Sequence, residues 1–108
     1  MNRDNPILYI VIPCYNEEKV LPYTNPMFIE KIESLINTGK VHPNSKVMYV
    51  NDGSKDQTWS LIQQYAKENS HVVGIAQSRN RGHQSSVLAG MEEAAKFADI
   101  VITIDADG

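Results

Sequence analysis

The sequence predicts an α/β domain built on a doubly wound parallel sheet with strand order 3-2-1-4. Three observations predict it. Short apolar runs alternate with segments whose apolar residues recur at helical spacing. The runs are apolar throughout instead of alternating with polar residues, which is the pattern of strands covered on both faces. Each run also ends in a polar cluster. Right-handed crossovers leave few arrangements for such a chain.

The first strand is Ile7 to Ile12, ended by Pro13, which cannot donate to a sheet ladder. Cys14, Tyr15, Asn16, Glu17 and Glu18 open a loop and a first helical turn, with the acids near a helix N-terminus where the dipole favours them. Pro22 to Pro26 interrupts that helix, and Asn25-Pro26 reads as the N-cap and first residue of the next. Phe28, Ile29, Ile32, Leu35 and Ile36 then form an apolar stripe, and Asn37-Thr38-Gly39 supplies the stop.

Val47 to Val50 is the second strand, running into a turn at Asn51-Asp52-Gly53-Ser54. Ser54 and Gln57 have capping-box spacing. Thr58, Leu61, Ile62 and Tyr65 mark the second helix, with Trp59 as a structural residue at its start. Val72 to Ala76 is the third strand. A polar, basic stretch from Gln77 to His83 leads to a third helix, with Val87, Leu88, Met91, Ala94, Ala95 and Ala98 on one face. Gly90 inside it predicts close helix–sheet packing. The fourth strand, Ile100 to Ile104, ends in Asp105-Ala106-Asp107-Gly108.

The totals set bounds on function. The chain has 108 residues, is 42% hydrophobic and carries a formal net charge of −3, enough for one core in one domain or part of one. A sequence pI near 5.5 argues against a nucleic-acid partner, which needs clustered Lys and Arg. The single cysteine, Cys14, excludes an internal disulfide framework and suits a reducing compartment; it reads as a small buried thiol. The N-terminus lacks a signal-peptide apolar core, and no run approaches a membrane span. His42, His71 and His83 lack metal-site spacing.

In a parallel sheet the C-terminal ends of all strands lie on one edge, and ligands of open α/β sheets bind there, where strand order reverses. The four polar clusters therefore converge. Tyr15 offers a flat face for a base, and Asp52 an acceptor for a nucleobase N–H. Arg79 and Arg81 suit phosphate oxygens. Asp105 and Asp107 are one residue apart; in an extended segment they point the same way, with Cα atoms roughly 6.6 Å apart. Hard cations such as Mg²⁺ or Mn²⁺ are often held by one or two carboxylates plus substrate phosphates. The bland alternative makes the two acids turn formers or caps. Together the clusters describe a site for a nucleoside diphosphate derivative and a metal. Neither Gly-x-Gly-x-x-Gly after the first strand nor Gly-x-x-x-x-Gly-Lys-Ser/Thr is present, which counts against a dinucleotide oxidoreductase and a P-loop NTPase.

Ile12-Pro13-Cys14-Tyr15-Asn16-Glu17-Glu18, Val50 to Thr58, Ser78-Arg79-Asn80-Arg81-Gly82-His83-Gln84 and Asp105-Ala106-Asp107 resemble, in order and spacing, family 2 glycosyltransferases of the GT-A fold. The nearest likeness is to the branch of dolichol-phosphate mannosyltransferase and the bacterial polyprenyl-phosphate glycosyltransferases. The resemblance covers nearly the whole chain. It implies a Rossmann-like nucleotide-binding half, with Pro13, Tyr15, Glu17 and Asp52 bordering base and ribose. Asn16, Asn51, Arg79, Gly82, His83 and Ala106 join them as candidate nucleotide-sugar-binding residues. Asp105 and Asp107 become the D-x-D pair that contacts the sugar nucleotide and Mg²⁺ or Mn²⁺. Two positions depart from the pattern: Asn51 stands where many members have Asp, and His83 where Lys is frequent.

The resemblance implies inverting transfer from a UDP- or GDP-sugar to a polyprenyl phosphate or a glycan. The acceptor half of that fold is absent, so residues 1–108 are expected to be the N-terminal donor-binding part of a longer protein, with no catalytic residue of their own and no transfer activity alone. The implied location is cytoplasmic, or the cytoplasmic face of a membrane. The open edge of the fourth strand predicts edge-to-edge pairing in a homodimer. A nucleotide-binding or degenerate module acting through protein contacts is the competing reading.

Overall fold

A computed structural model describes residues 5–77 and 83–108. Four strands, β1 (Leu8–Cys14), β2 (Lys46–Asp52), β3 (Val72–Gln77) and β4 (Ile100–Thr103), alternate with three helices, α1 (Leu21–Asn37), α2 (Thr58–Glu68) and α3 (His83–Ala94). The strands pair in parallel in the order β3-β2-β1-β4, the order the sequence predicts. Among the described residues no helix is long and apolar enough to cross a membrane.

β1 is central, and all seven of its residues are buried. Its side chains alternate between two cores, as a period of two requires. Leu8, Ile10, Ile12 and Cys14 pack with Leu21, Phe28 and Ile32 of α1 and with Ile62 and Tyr65 of α2. Tyr9 and Val11 pack with Met48, Val50 and Ala94 of α3 on the opposite face. Each fully buried Val or Ile contributes about 1.5–3 kcal/mol of transfer free energy, so β1 anchors the sheet that carries the rim.

Pro13 lies inside β1 and does not end it. It pairs in register with Val50, and Cys14 with Asn51. The Val11 carbonyl accepts the Ile104 N–H, so Val11 turns its backbone polar groups toward β4. Position 13, two residues on, faces the same side, beyond the last β1–β4 pair at Val11 and Thr103. A missing N–H there disrupts no ladder.

α1 begins five residues before the expected start. Pro22 occupies its first turn and Pro26 sits inside it. Pro26 deprives the Pro22 carbonyl of its helical donor, but both prolines are exposed and water can serve that carbonyl. Asn25 is therefore no N-cap. It is buried, and its Oδ1 accepts the Tyr49 hydroxyl at 2.6 Å. The C-terminal stop is as expected. Gly39, at φ 75°, donates to the Ile36 carbonyl, and Lys40 N–H reaches the Leu35 carbonyl at 2.9 Å, a Schellman closure.

α3 packs by a different face from the one its large apolar residues suggest. Ser86, Gly90 and Ala94 are buried, whereas Leu88 is 60% and Met91 39% exposed. A Cβ on Gly90 would lie 2.5 Å from Val11 Cγ1 and 2.7 Å from Val50 Cγ2. The helix lies so near the sheet that only small side chains fit beneath it. The packing inferred for Gly90 is correct, and the face assigned to Leu88, Met91 and Ala95 is not.

β4 is likewise less covered than its composition suggests. Register with Leu8 and Ile10 puts Ile100 and Ile102 on the α1/α2 face, yet they stay 44% and 41% exposed. Coverage on both faces holds for β1 and β2 and fails at this edge.

Candidate functional site at the sheet rim

Three polar loops gather at the C-terminal edge of the sheet: residues 15–20 after β1, 53–57 after β2 and 104–108 after β4. Residues 78–82, with Arg79, Arg81 and Gly82, lie outside the described residues. So does the side chain of His83, whose backbone opens α3.

The first loop turns sharply at Asn16, whose φ of 53° is the left-handed region that Asn tolerates better than most residues. The turn leaves Tyr15 40% exposed at the rim, available to a flat ligand. Pro13 remains buried in β1.

The second loop holds the first in place. Asn16 N–H donates to Ser54 Oγ at 3.0 Å, and Asn16 Oδ1 accepts Lys55 N–H at 2.8 Å. Glu17 N–H donates to Thr58 Oγ1 at 2.8 Å, and Glu18 N–H to Asp56 Oδ2 at 3.3 Å. The Glu18 carboxylate accepts Gln57 N–H at 2.8 Å in return. The expected Ser54–Gln57 capping box is absent. Gln57 stands at the N-cap without a side-chain hydrogen bond, Ser54 serves the first loop, and Asp56 accepts Thr58 N–H at 2.9 Å.

Asn51 and Asp52 complete β2 instead of forming a turn, and both are buried. Asn51 Oδ1 accepts Ser54 N–H at 3.3 Å, a role that its amide performs without the acid frequent at this position. Register places Asp52 beside Gln77, at the end of β3. Among the described residues, the buried oxygens Gln77 Oε1 and Ser86 Oγ have no hydrogen-bond partner.

After β4, Gly108 N–H donates to the Asp105 carbonyl at 2.9 Å, closing a turn over Asp105 to Gly108. The two acids are thus set by a turn and not by the extended geometry the sequence suggested. Both carboxylates are exposed, and Ala106 between them is buried at 3% against the α1/α2 core.

Parallel pairing of β1 with both β2 and β4 brings the loops to one edge. The Glu17 carboxyl is held above its ordinary value by burial and by the charges of Asp107, Asp56 and Asp105. Its loop therefore stands within electrostatic reach of both later ones. Cys14, beneath, has its thiol pushed up to about 12, by burial first and then by Glu17. An open depression of about 490 Å³ lies along Asn16 to Val20, Lys55 and Asp56.

Among the described residues, no three or more His, Cys, Asp or Glu side chains form a group able to hold a metal. Asp105 and Asp107 offer two exposed hard oxygen donors, which fits a cation whose other ligands are water and phosphate oxygens.

The profile of Glycosyl transferase family 2 matches residues 9–108. The chain belongs to this family. Relatives of the family 2 chain include the uncharacterized glycosyltransferase YkoT of Bacillus subtilis, 42% identical over 99% of this chain and 32% of YkoT. The undecaprenyl-phosphate 4-deoxy-4-formamido-L-arabinose transferase of Shewanella sediminis is 36% identical over 98% of this chain and 30% of its own length. The family 2 chain thus spans about a third of the length of these relatives. Its fold matches the mannosyltransferase PcManGT from Pyrobaculum calidifontis in complex with GDP-Man and Mn²⁺, with a TM-score of 0.71 at 21% identity over 95% of this chain and 28% of that one. It also matches S. aureus TarS in complex with UDP-GlcNAc, with a TM-score of 0.63 at 21% identity over 94% and 26%. These likenesses establish the GT-A fold.

Asp56, Thr58, Glu18 and Ser54 are functional candidates that sequence reasoning passed over. A signal was present in Asp56-x-Thr58, the spacing at which an Asp carboxylate accepts a backbone N–H two residues on.

Proposed function

We propose that this chain is the donor-binding part of an inverting glycosyltransferase that holds a UDP- or GDP-sugar with Mg²⁺ or Mn²⁺. The observation that carries the reading is the convergence of the three loops at one edge of the parallel sheet, the first two tied by five hydrogen bonds and the third following β4, which pairs with β1. Acids crowded at one rim repel one another, and a cation bound there would relieve that repulsion.

In this reading Tyr15 packs against the base and Asp52 accepts a base N–H, with Pro13, Asn16, Glu17 and Asn51 shaping the base and ribose wall. Arg79, Gly82 and His83 reach the diphosphate, His83 supplying charge only when protonated. Asp105 and Asp107 would hold the cation, and Ala106, its side chain buried in the α1/α2 core, would offer the donor only its backbone. The metal's contribution is positive charge on the diphosphate oxygens, where leaving-group charge develops.

Acceptor oxygen bonds to the anomeric carbon as its bond to the nucleoside diphosphate breaks. The undecaprenyl-phosphate transferases among the relatives support a polyprenyl phosphate acceptor. Such a nucleophile is already anionic and needs no base within these residues. The reading places the protein in the cytoplasm or at the cytoplasmic face of a membrane, and the position of β4 as an outer strand among the described residues favours pairing with a second copy.

Calorimetry of the full-length protein with UDP-GlcNAc, UDP-glucose and GDP-mannose, with and without Mn²⁺, tests the proposal. Metal-dependent heat with one of them is expected. Silence with all of them overturns it and favours a module acting through protein contacts.

A further inference from the structure

The rim has a second layer whose side chains do not need to touch the ligand. Asp56 Oδ2 accepts Glu18 N–H, and its Oδ1 accepts both the N–H and the hydroxyl of Thr58. The Thr58 hydroxyl oxygen in turn accepts Glu17 N–H from the other loop, 41 residues away in sequence. Thr58 is fully buried at 0% exposure, beneath a part-exposed Glu17. Its hydroxyl is held from both ends, donating to Asp56 Oδ1 and accepting Glu17 N–H, and so is a fixed point.

We propose that Asp56 and Thr58 are positioning residues for donor binding, acting through the backbone of Glu17 and Glu18 to set Tyr15 and Glu17 at the rim. The inference rests on the donor-binding reading above. Each loop is irregular and has little regular hydrogen bonding of its own to define its shape. Asn16 sits in a left-handed conformation that costs energy unless its surroundings impose it. Five inter-loop hydrogen bonds, those of Asn16 (two), Glu17, Glu18 and Gln57, supply that constraint. Asp56 serves two of them: its carboxylate accepts Glu18 N–H from the other loop and, by accepting the Thr58 hydroxyl, aims that oxygen at Glu17 N–H. Those bonds outweigh the burial that opposes its ionisation and hold its carboxyl below the ordinary value. A site held to within roughly 0.5 Å binds far better than one left loose.

The test uses the full-length protein with UDP and GDP as probes in the presence of Mn²⁺. Thr58→Val preserves shape but removes the hydroxyl. Its affinity for the nucleotide that binds wild type is expected to fall about tenfold or more, as does that of Asp56→Asn, in the range seen when supporting residues are removed. Thr58→Ser restores the hydroxyl and is expected to recover most of the affinity. Amide exchange at Glu17 should accelerate in Thr58→Val and return toward wild type in Thr58→Ser. Glu18→Ala, which removes only the acceptor of Gln57 N–H, covers the case in which Thr58→Val fails to fold, and a loss of about threefold or more is expected on the same grounds. Wild-type affinity in Thr58→Val, in Asp56→Asn or in Glu18→Ala overturns the inference while leaving donor binding intact. A wild-type protein that binds neither nucleotide overturns the functional reading itself, and this inference with it.

Discussion

The Tyr49 hydroxyl donates to Asn25 Oδ1 at 2.6 Å within the core between β2 and α1. Tyr49 is 0% and Asn25 6% exposed, and burial raises the phenol's pKa. Phe28 and Tyr65 surround the ring at centroid separations of 6.5 and 6.3 Å. The bond also explains why a helix containing Pro26 begins at Leu21, since it ties the first turns of α1 to the sheet. Tyr49→Phe leaves a buried amide oxygen unpaired and is expected to cost about 1–3 kcal/mol. Urea unfolding monitored by circular dichroism reads this as a lower midpoint at unchanged slope.

Gly90 makes a prediction of opposite sign to helix propensity. Alanine in a helix interior is favoured over glycine by about 1 kcal/mol. Here the added methyl meets Val11 and Val50, both fully buried. Overpacking of that kind costs about 1–3 kcal/mol, so Gly90→Ala is expected to be net destabilising by up to about 2 kcal/mol. A thermal midpoint equal to or above wild type would contradict the close approach of α3.

Cys14 should be inert in the folded protein. With its thiol pushed up to about 12, almost no thiolate exists at pH 8, and the side chain is 1% exposed. A thiol reagent is expected to label it only after addition of denaturant. Rapid labelling without denaturant would show that β1 opens at its C-terminal end.

Asp56 ties stability to acid pH. Its carboxyl lies below the ordinary value because hydrogen bonds from Thr58 and Glu18 overcome burial. The folded state then binds fewer protons than the unfolded one. The contribution is complete above the unfolded carboxylate value of about 3.9 and is lost as pH falls through the lower folded value. Urea midpoints measured from about pH 5 down to about pH 3 should fall less steeply in Asp56→Asn than in wild type.

Asp107→Ala should weaken Mn²⁺-dependent binding of UDP or GDP by about tenfold or more, and Cys14→Ala by much less, because only the first removes a candidate metal ligand. EDTA should abolish the difference between wild type and Asp107→Ala. Equal losses in the two variants would count against the D-x-D assignment.

The sequence by itself determined the alternation of elements, the strand order and the edge at which Tyr15, Asp52 and Asp107 stand. These follow from apolar periodicity and crossover handedness, both local or topological in origin. It also carried the family, through motifs short enough to read directly. Only the tertiary structure decided which side of α3 meets the sheet, because period 3.6 marks large apolar residues and the close approach selected Ser86, Gly90 and Ala94 instead. Only it decided that α1 runs through Pro26, where burial of Leu21, Thr24 and Phe28 together with the Asn25–Tyr49 bond offsets a local breaker. The bridge from Asp56 and Thr58 to Glu17 and Glu18 was illegible for the same reason: its partners are about forty residues apart, and a hydrogen bond between two loops leaves no period in either.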